Sequence, residues 1–341
     1  MVSVIVPVYR SEQTLERCVK SLLAQDYENI EILLIVDGPP DGSGILADEL
    51  AKTDARIRVI NQVNQGVSRA RNRGIAEARG RYIRFLDSDD YVGEHSISPL
   101  VEQMEKDGSD IVIAGYDHLY FGSRIPKTPH VSGYYPMESG QSQEVLCRLH
   151  EAGFLNMPWN KLFRREKMTV QFPTDRTLGE DLLFNMQYMS EISGFSVIQD
   201  SVCMYIQDDR GTTLSTKKRN DKIETALYLY QKSKEFFLRL GVEKGEKLAF
   251  LDTKVITTFL DEVEMTGFSD GNSKERRQEI LSFAEAARDF VHGDEPRIIR
   301  LDKLDYKIIY FFLKRKNISM TMFMVWLRTI VVKLVRKGRR V

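Results

Sequence analysis

Three carboxylates, Asp87, Asp89 and Asp90, follow directly on a short apolar run at residues 82–86. Packed closely without a counterion they would repel one another. Oxygen ligands of this kind suit Mg2+ or Mn2+, ions that take one or two carboxylates together with substrate phosphates. The carboxyl end of a strand is also where an open α/β sheet holds its ligand. The preceding residues, 64–81, are punctuated by Gly66, Gly74 and Gly80 and carry Arg69, Arg71, Arg73, Arg79 and Arg81, with Arg84 inside the apolar run. Arginine forks bind phosphate bidentately. Helical spacing puts Arg69 and Arg73 on one flank and Arg71 on another, so most of these arginines are expected on a solvated face. Acids and glycine-spaced bases together point to a site for a metal-bound phosphate compound, and so to group transfer. The triplet alone leaves open a solvated loop whose aspartates cap a helix. His95, His118, His130, His150 and His292 have no ligand spacing, and no P-loop or Gly-x-Ser-x-Gly segment is present.

These residues must be positioned by a regular frame. Residues 2–8 and 30–36 are continuous apolar runs rich in Val and Ile, the pattern of strands covered on both faces. Further strands are expected at 57–60, 82–86 and 111–115. Helices are expected at 11–25, around Ile45 to Leu50, at 66–78 and at 98–106, with residues 37–44 a Pro- and Gly-rich loop. Such alternation predicts β-α-β units in a mostly parallel, doubly wound α/β sheet. Beyond residue 116 the alternation fades. Residues 118–139 read as loops or short strands, 142–151 and 179–191 as helices, and 195–206 as one or two antiparallel strands; 220–291 is helical almost throughout.

Composition bounds the function. The 341 residues hold 49 Lys or Arg and 49 Asp or Glu, so no global field favours nucleic acid. Cys18, Cys147 and Cys203 lack paired spacing and are expected as free thiols in a reducing compartment. The opening residues lack the positive leader of a signal peptide, and no run of about 20 apolar residues predicts a membrane span.

The strings NQGVSRARNRG and GRYIRFLDSDD resemble the signature of glycosyltransferase family 2, of the polysaccharide-assembly type. SVIVPVYRSEQTLERCVKSLLAQDYENIEILLIVDGPPDGS upstream and LGEDLLF downstream resemble further parts of it, in the family's order and spacing, over residues 1–215. The resemblance implies a GT-A fold with a C-terminal helical extension. Residues 1–116 would bind the nucleotide-sugar and 117–215 the acceptor, followed by a helical region at 216–316 and a basic amphipathic tail helix at 317–341. It implies an inverting, metal-dependent transfer from a nucleotide-sugar, with UDP preferred, to a glycan or lipid-linked acceptor in surface polysaccharide synthesis.

Residue by residue, it places Pro7, Val8 and Tyr9 at the nucleotide pocket, Asp37 on the uracil, Arg71 facing the nucleotide, and Asp87 and Ser88 at the donor. Asp89, with Asp87 and Asp90, would hold Mn2+ or Mg2+. Asp181 would be the general base and Glu180 an acceptor contact; acids in a first helical turn equally complement the helix dipole. Trp159 would offer an aromatic plate to an acceptor sugar, and Arg210, in the 205–215 segment, would reach the diphosphate. One departure is visible: Val36 stands where the family often has a first Asp, so guanine and thymine stay open. A nucleotidyltransferase would carry a Gly- and Lys-containing loop after the first strand, where this chain has Tyr9-Arg10-Ser11-Glu12. A catalytically inactive sugar-nucleotide-binding protein would not need Asp89 and Asp181.

In the tail, Met320, Phe323, Met324, Leu327, Ile330, Val331, Leu334 and Val335 recur at steps of three and four. With Trp326 and basic residues such as Arg328, Lys333 and Arg336 beside them, they predict a helix that lies on the inner face of the cytoplasmic membrane. A helix packed on its own domain or on a second subunit is the alternative, and a homo-oligomer stays open.

Overall fold

The computed structural model describes residues 1–120, 122–207, 221–268, 273–293, 296–315, 317, 319–321, 323–328 and 330. Two compact units are present, Met1–Lys218 and Arg219–Val341.

In the first unit the order is β1 (Val2–Val8), α1 (Leu15–Leu23), β2 (Ile30–Asp37), α2 (Ser43–Ala51), β3 (Ile57–Gln62), α3 (Val67–Glu77), β4 (Tyr82–Phe85) and α4 (Ser98–Asp107). Then come β5 (Ile111–Tyr120), β6 (Ser123–Lys127), β7 (Gly133–Pro136), α5 (Gly140–Glu151), β8 (Lys161–Arg164), α6 (Glu180–Met189) and β9 (Gly194–Gln207). The strands form one sheet in the order β3-β2-β1-β4-β8-β5-β9-β7, with β6 paired to β5. β1, β2, β3 and β4 are mutually parallel, as expected. Every residue of β1 and β2 is buried, which is why their sequences are apolar without alternation.

The direction of winding reverses between β1 and β4: β2 and β3 lie to one side of β1 and β4 to the other. Ligands of open α/β sheets sit in the crevice at such a reversal. α3 lies close against β1 there. A Cβ added at Gly74 would fall 2.3 Å from Ile5 Cγ2, so only glycine permits this approach.

Two expectations are corrected in the second half. The expected parallel alternation is interrupted, because the antiparallel β8 lies between β4 and the 111–115 strand. β8 went unexpected because Lys161 and Arg164 read as surface residues, yet all four of its residues are buried. β9 is a single strand that runs parallel to β5 and antiparallel to β7, with register shifts around Gly115.

The second unit contains α7 (Lys222–Arg239), α8 (Ala249–Phe268), α9 (Ser273–Val291) and α10 (Leu304–Lys314). Val255, Ile256, Phe259, Phe290, Tyr306, Ile309 and Leu313 build its core. Residues 319–321, 323–328 and 330 are helical. Their packing corrects the expected apolar stripe: Thr321 and Val325 are buried, whereas Phe323, Trp326 and Leu327 are exposed. Val331, Leu334, Val335 and the cations among residues 331–341 lie outside the described residues. Among the described residues no helix is long and apolar enough to cross a membrane.

Candidate functional site

The loops after β1 and β4 meet at the point where the sheet reverses. Pro7 and Val8 are buried in β1, while Tyr9 is exposed just beyond it. Arg10 has φ 52°, a left-handed backbone rare for a side chain of this size, and its guanidinium lies over the Tyr9 ring. A chain of hydroxyls ties the loops together. Ser88 Oγ and Ser11 Oγ are 2.6 Å apart, the Ser11 amide donates to Ser43 Oγ, and Ser43 Oγ donates to Asp41. Ser88, expected at the donor, is therefore a buried link between the ends of β4 and β1.

Asp37 is buried at the end of β2. Its Oδ1 accepts from Gln62 Nε2 at 2.7 Å and the Gln65 amide at 2.8 Å, and its Oδ2 from the Gly66 amide at 2.8 Å. Gly66, at φ 89°, is the N-cap of α3. Asp37 thus fastens the start of α3 to the end of β2.

Of the six arginines, Arg69, Arg73, Arg79 and Arg81 are exposed, as the helical spacing predicts, and Arg84 and Arg71 are buried. Arg84 donates to the Ser96 and Val202 carbonyls and pins β4 from beneath. Arg71 is the centre of the site. Its Nη2 donates to Asp87 Oδ1 at 2.8 Å and its Nη1 to Asp181 Oδ1 at 2.6 Å. Burial opposes its charge, but Asp181 and Asp87 outweigh that cost and hold the guanidinium above its ordinary pKa. Its expected role facing the nucleotide becomes a bridge between two carboxylates 94 positions apart in the chain.

The bridge rests on an aromatic floor that sequence reading missed. Arg71 lies 5.2 Å over the Phe172 ring, and Phe172 stacks on Phe184 of α6 at 3.8 Å. Phe85 of β4 meets both rings edge-on. Asn72, next to Arg71, donates to the Phe172 carbonyl and accepts from its amide. The signal was available in the Ala-Arg-Asn triplet and in the Phe that closes LGEDLLF.

Asp181 sits in the first turn of α6, behind Gly179 in a left-handed conformation. Its side chain is 23% exposed, reachable but largely enclosed. Burial pushes its carboxyl up to about 7, with Arg71 opposing and Glu180 and Asp87 adding to the rise. Glu180 is itself buried, so it acts on Asp181 through charge.

The three acids of the loop separate. Asp87 is 32% exposed and shared with Arg71. Asp89 is exposed, and desolvation by its surroundings together with the Asp87 charge pushes its carboxyl up. Asp90 is a correction. It turns into the protein, its Oδ1 accepts from the Ile206 amide at 2.9 Å, and its Oδ2 is buried with no hydrogen-bond partner. Burial raises its pKa well above the usual carboxylate range. It anchors the end of β9 rather than joining an exposed metal set. Among the described residues no three His, Cys, Asp or Glu side chains converge as a ready metal cage. Asp87 and Asp89 alone still fit a divalent ion, because the Asp87 charge and desolvation outweigh the pull of Arg17 and Arg71 on Asp89 and such ions complete their shell with phosphate oxygens.

Trp159 is the last correction. It is buried, its ring stacks 5.5 Å from Tyr205 and meets Tyr116 edge-on at 4.9 Å, so no face is left for a sugar. Its neighbour Lys161 is fully buried and donates to the carbonyls of Phe154 and Met157 and to Asn160 Oδ1. Asn185 of α6 donates to the carbonyls of Leu155 and Met157. The segment before β8 is thereby tied to the helix that carries Asp181. Arg210 lies outside the described residues.

Residues 3–170 match the family described as Glycosyl transferase family 2. Glycosyltransferase GlyG of Streptococcus pneumoniae is 33% identical over 214 residues, covering 60% of this chain and 70% of that protein. An uncharacterized glycosyltransferase of Bacillus subtilis, EpsJ, is 38% identical over 62% of this chain, which spans 63% of the length of that relative. Among solved structures, Staphylococcus aureus TarS 1–349 in complex with UDP-GlcNAc superposes with a TM-score of 0.66 at 18% identity, covering 99% of this chain and 92% of that one. The mannosyltransferase PcManGT of Pyrobaculum calidifontis, in complex with GDP-Man and Mn2+, gives 0.51 at 16% identity, covering 97% of this chain and 86% of that one. The fold is GT-A, and its reversal point carries the acids and the Arg71 bridge; with a relative at 33% identity over more than two thirds of that relative's length, the chain belongs to glycosyltransferase family 2 and is a glycosyltransferase.

Proposed function

We propose that this glycosyltransferase moves a sugar from a UDP-sugar to a hydroxyl of a glycan or lipid-linked acceptor at a membrane face, with inversion, in the building of a surface polysaccharide. The observation that carries the reading is the Arg71 bridge. One buried guanidinium holds the carboxylate at the sheet's reversal point, Asp87, in register with the carboxylate that opens α6, Asp181. A donor bound over the first would present its anomeric carbon towards the second. The UDP-GlcNAc complex of TarS supports uracil as the base.

Arg71 occupies Oδ1 of Asp181 and leaves Oδ2 for the acceptor hydroxyl. The hydroxyl oxygen forms its bond to the anomeric carbon from the face opposite the departing diphosphate, and its proton passes to Asp181. A base with a pKa near 7 is matched to this task, which is worth about 10²- to 10⁴-fold in rate. The burial that raises that pKa keeps the carboxylate basic despite its arginine. Asp89, with Asp87, would hold Mn2+ or Mg2+, which when bound relieves the charge on the departing diphosphate. Asp90 and Ser88 keep the loop in shape, and Asp37 keeps α3 and therefore Arg71 in place.

The test is a panel of sugar nucleotides, with nucleotide release measured in Mn2+ or Mg2+. One UDP-sugar is expected to stand out, and chelation is expected to abolish its turnover. A chain that binds and releases no nucleotide from any member of the panel would overturn the reading.

A further inference from the structure

We infer that the exposed edge of the C-terminal helical stretch, formed by Phe323, Trp326 and Leu327, is a docking surface for an anionic lipid bilayer. It deepens the reading that the acceptor is met at a membrane face, and rests on it for its purpose. The physical case stands on the second unit alone.

The setting of this stretch is fixed from several sides. The amide of Met320 donates to Asn317 Oδ1 and that of Thr321 to the Asn317 carbonyl, which caps its start. Thr321 and Val325 are buried, and Val325 and Met324 pack with Ile309, Leu313 and Tyr306. Arg328 Nε pairs with Asp305, and its guanidinium lies 4.6 Å from the centre of the Tyr306 ring. One edge of the helix is therefore committed to the core. The other edge is turned outward, with Phe323 48%, Trp326 58% and Leu327 38% exposed. The Phe323 and Trp326 rings are 6.0 Å apart and form one aromatic patch. Its own unit already has its packing edge, so this patch is surplus to the fold.

Charge identifies the occupant. The protein is neutral as a whole, but from Lys307 to Val341 the sequence holds ten Lys or Arg and no Asp or Glu. Lys314 and Arg315 are exposed, Arg328 is paired with Asp305, and Lys333, Arg336, Lys337, Arg339 and Arg340 follow the patch in sequence. A sequence rich in cations on both sides of an exposed Trp, Phe and Leu matches an anionic interface: the rings enter the headgroup boundary and the cations stay with the phosphates. A second copy would bring the same cations face to face and is disfavoured by repulsion. A soluble polyanion would satisfy the charge and leave the rings in water.

The full chain is mixed with vesicles of phosphatidylglycerol and phosphatidylcholine, and separately with phosphatidylcholine alone, and sedimented. Trp326 emission is followed beside it, since the chain's other tryptophan, Trp159, is buried. The expected result is sedimentation with the anionic vesicles and a blue shift there. The triple variant Phe323→Ser/Trp326→Ser/Leu327→Ser should partition about a hundredfold more weakly with nucleotide release intact. Equal partitioning of the triple variant, equal binding to neutral vesicles, or a wild-type dimer that the variant dissolves would each overturn the inference. Loss of nucleotide release in both proteins would instead count against the glycosyl-transfer reading and leave the vesicle result standing.

Discussion

The two halves of the first unit are held together in different ways. From β1 to β4 the strands pair in parallel registers and their buried side chains are almost all aliphatic or aromatic. The strand ladders satisfy their own backbone there, and the few buried polar strand side chains, Ser3, Glu31, Asp37 and Arg84, tie neighbouring loops to the sheet. From β5 to β9 the strands mix directions and carry register shifts. Carbonyls left over by that irregular backbone are taken by buried polar side chains: Lys161 on Phe154 and Met157, Asn160 on Ala114, Asn185 on Leu155, Arg164 on Ser109. The first half is a lattice with chemistry at its rim, and the second is a set of specific hydrogen bonds. Arg71 belongs to the first by sequence and reaches into the second by contact, so the site depends on both.

The sharpest way to separate the halves is Asp181→Asn. It keeps the shape at the head of α6 and removes the proposed proton acceptor, so kcat should fall about 10³-fold. The affinity for UDP, read by calorimetry, should stay near that of the wild type, because the donor half is intact. Comparable loss of UDP binding would mean that the two halves are not separable in this way.

Stability should divide along the same line. Lys161→Met removes the donor shared by three acceptors; the Met157 carbonyl keeps Asn185 and the Phe154 carbonyl keeps a long contact to Asn160, but Asn160 Oδ1 loses its donor, and an unmet buried group costs about 1–3 kcal/mol. A loss of about 3 kcal/mol in urea unfolding is expected. Gly74→Ala tests the other half by overpacking against Ile5, a fault that costs about 1–3 kcal/mol; about 2 kcal/mol is expected. Gly74→Ala should also move α3 and with it Arg71, lowering kcat. A neutral Lys161→Met would show that the second half does not rely on its polar ties.

The same division explains what could be read from residues alone. β1 and β2 announce themselves because continuous apolar runs have few other uses. β8 is hidden because its Lys161 and Arg164 look like surface charges until their partners are known. The direction of β9 depends on pairing with a strand more than 80 positions away, which no local period encodes. Asp87, Asp89 and Asp181 were singled out by type and position, and the fold brings Asp87 and Asp181 together on Arg71. Asp37, Ser88 and Asp90 were found by the same criteria and face inward, because residue type does not say which way a side chain turns. Trp159 fails similarly: an aromatic near a loop looks like a plate until Tyr205 is seen to cover it.

The smallest effect tests the electrostatic tie inside the site. Glu180 is buried beside Asp181 and raises its pKa by repulsion, while burial contributes more. A general base works when deprotonated, so the rate should climb as pH rises through about 7 and level off above it. Glu180→Gln removes the repelling charge and keeps the size of the side chain. The Asp181 carboxyl then gives up its proton more readily, and the rising limb should move to lower pH by a fraction of a unit. At acidic pH the variant should therefore outpace the wild type relative to its own plateau. A base of lower pKa is also weaker, so the plateau itself should drop slightly. If Glu180 instead contacts the acceptor, KM for the acceptor rises and the limb stays in place. A limb that moves to higher pH would contradict the like-charge account of the pair.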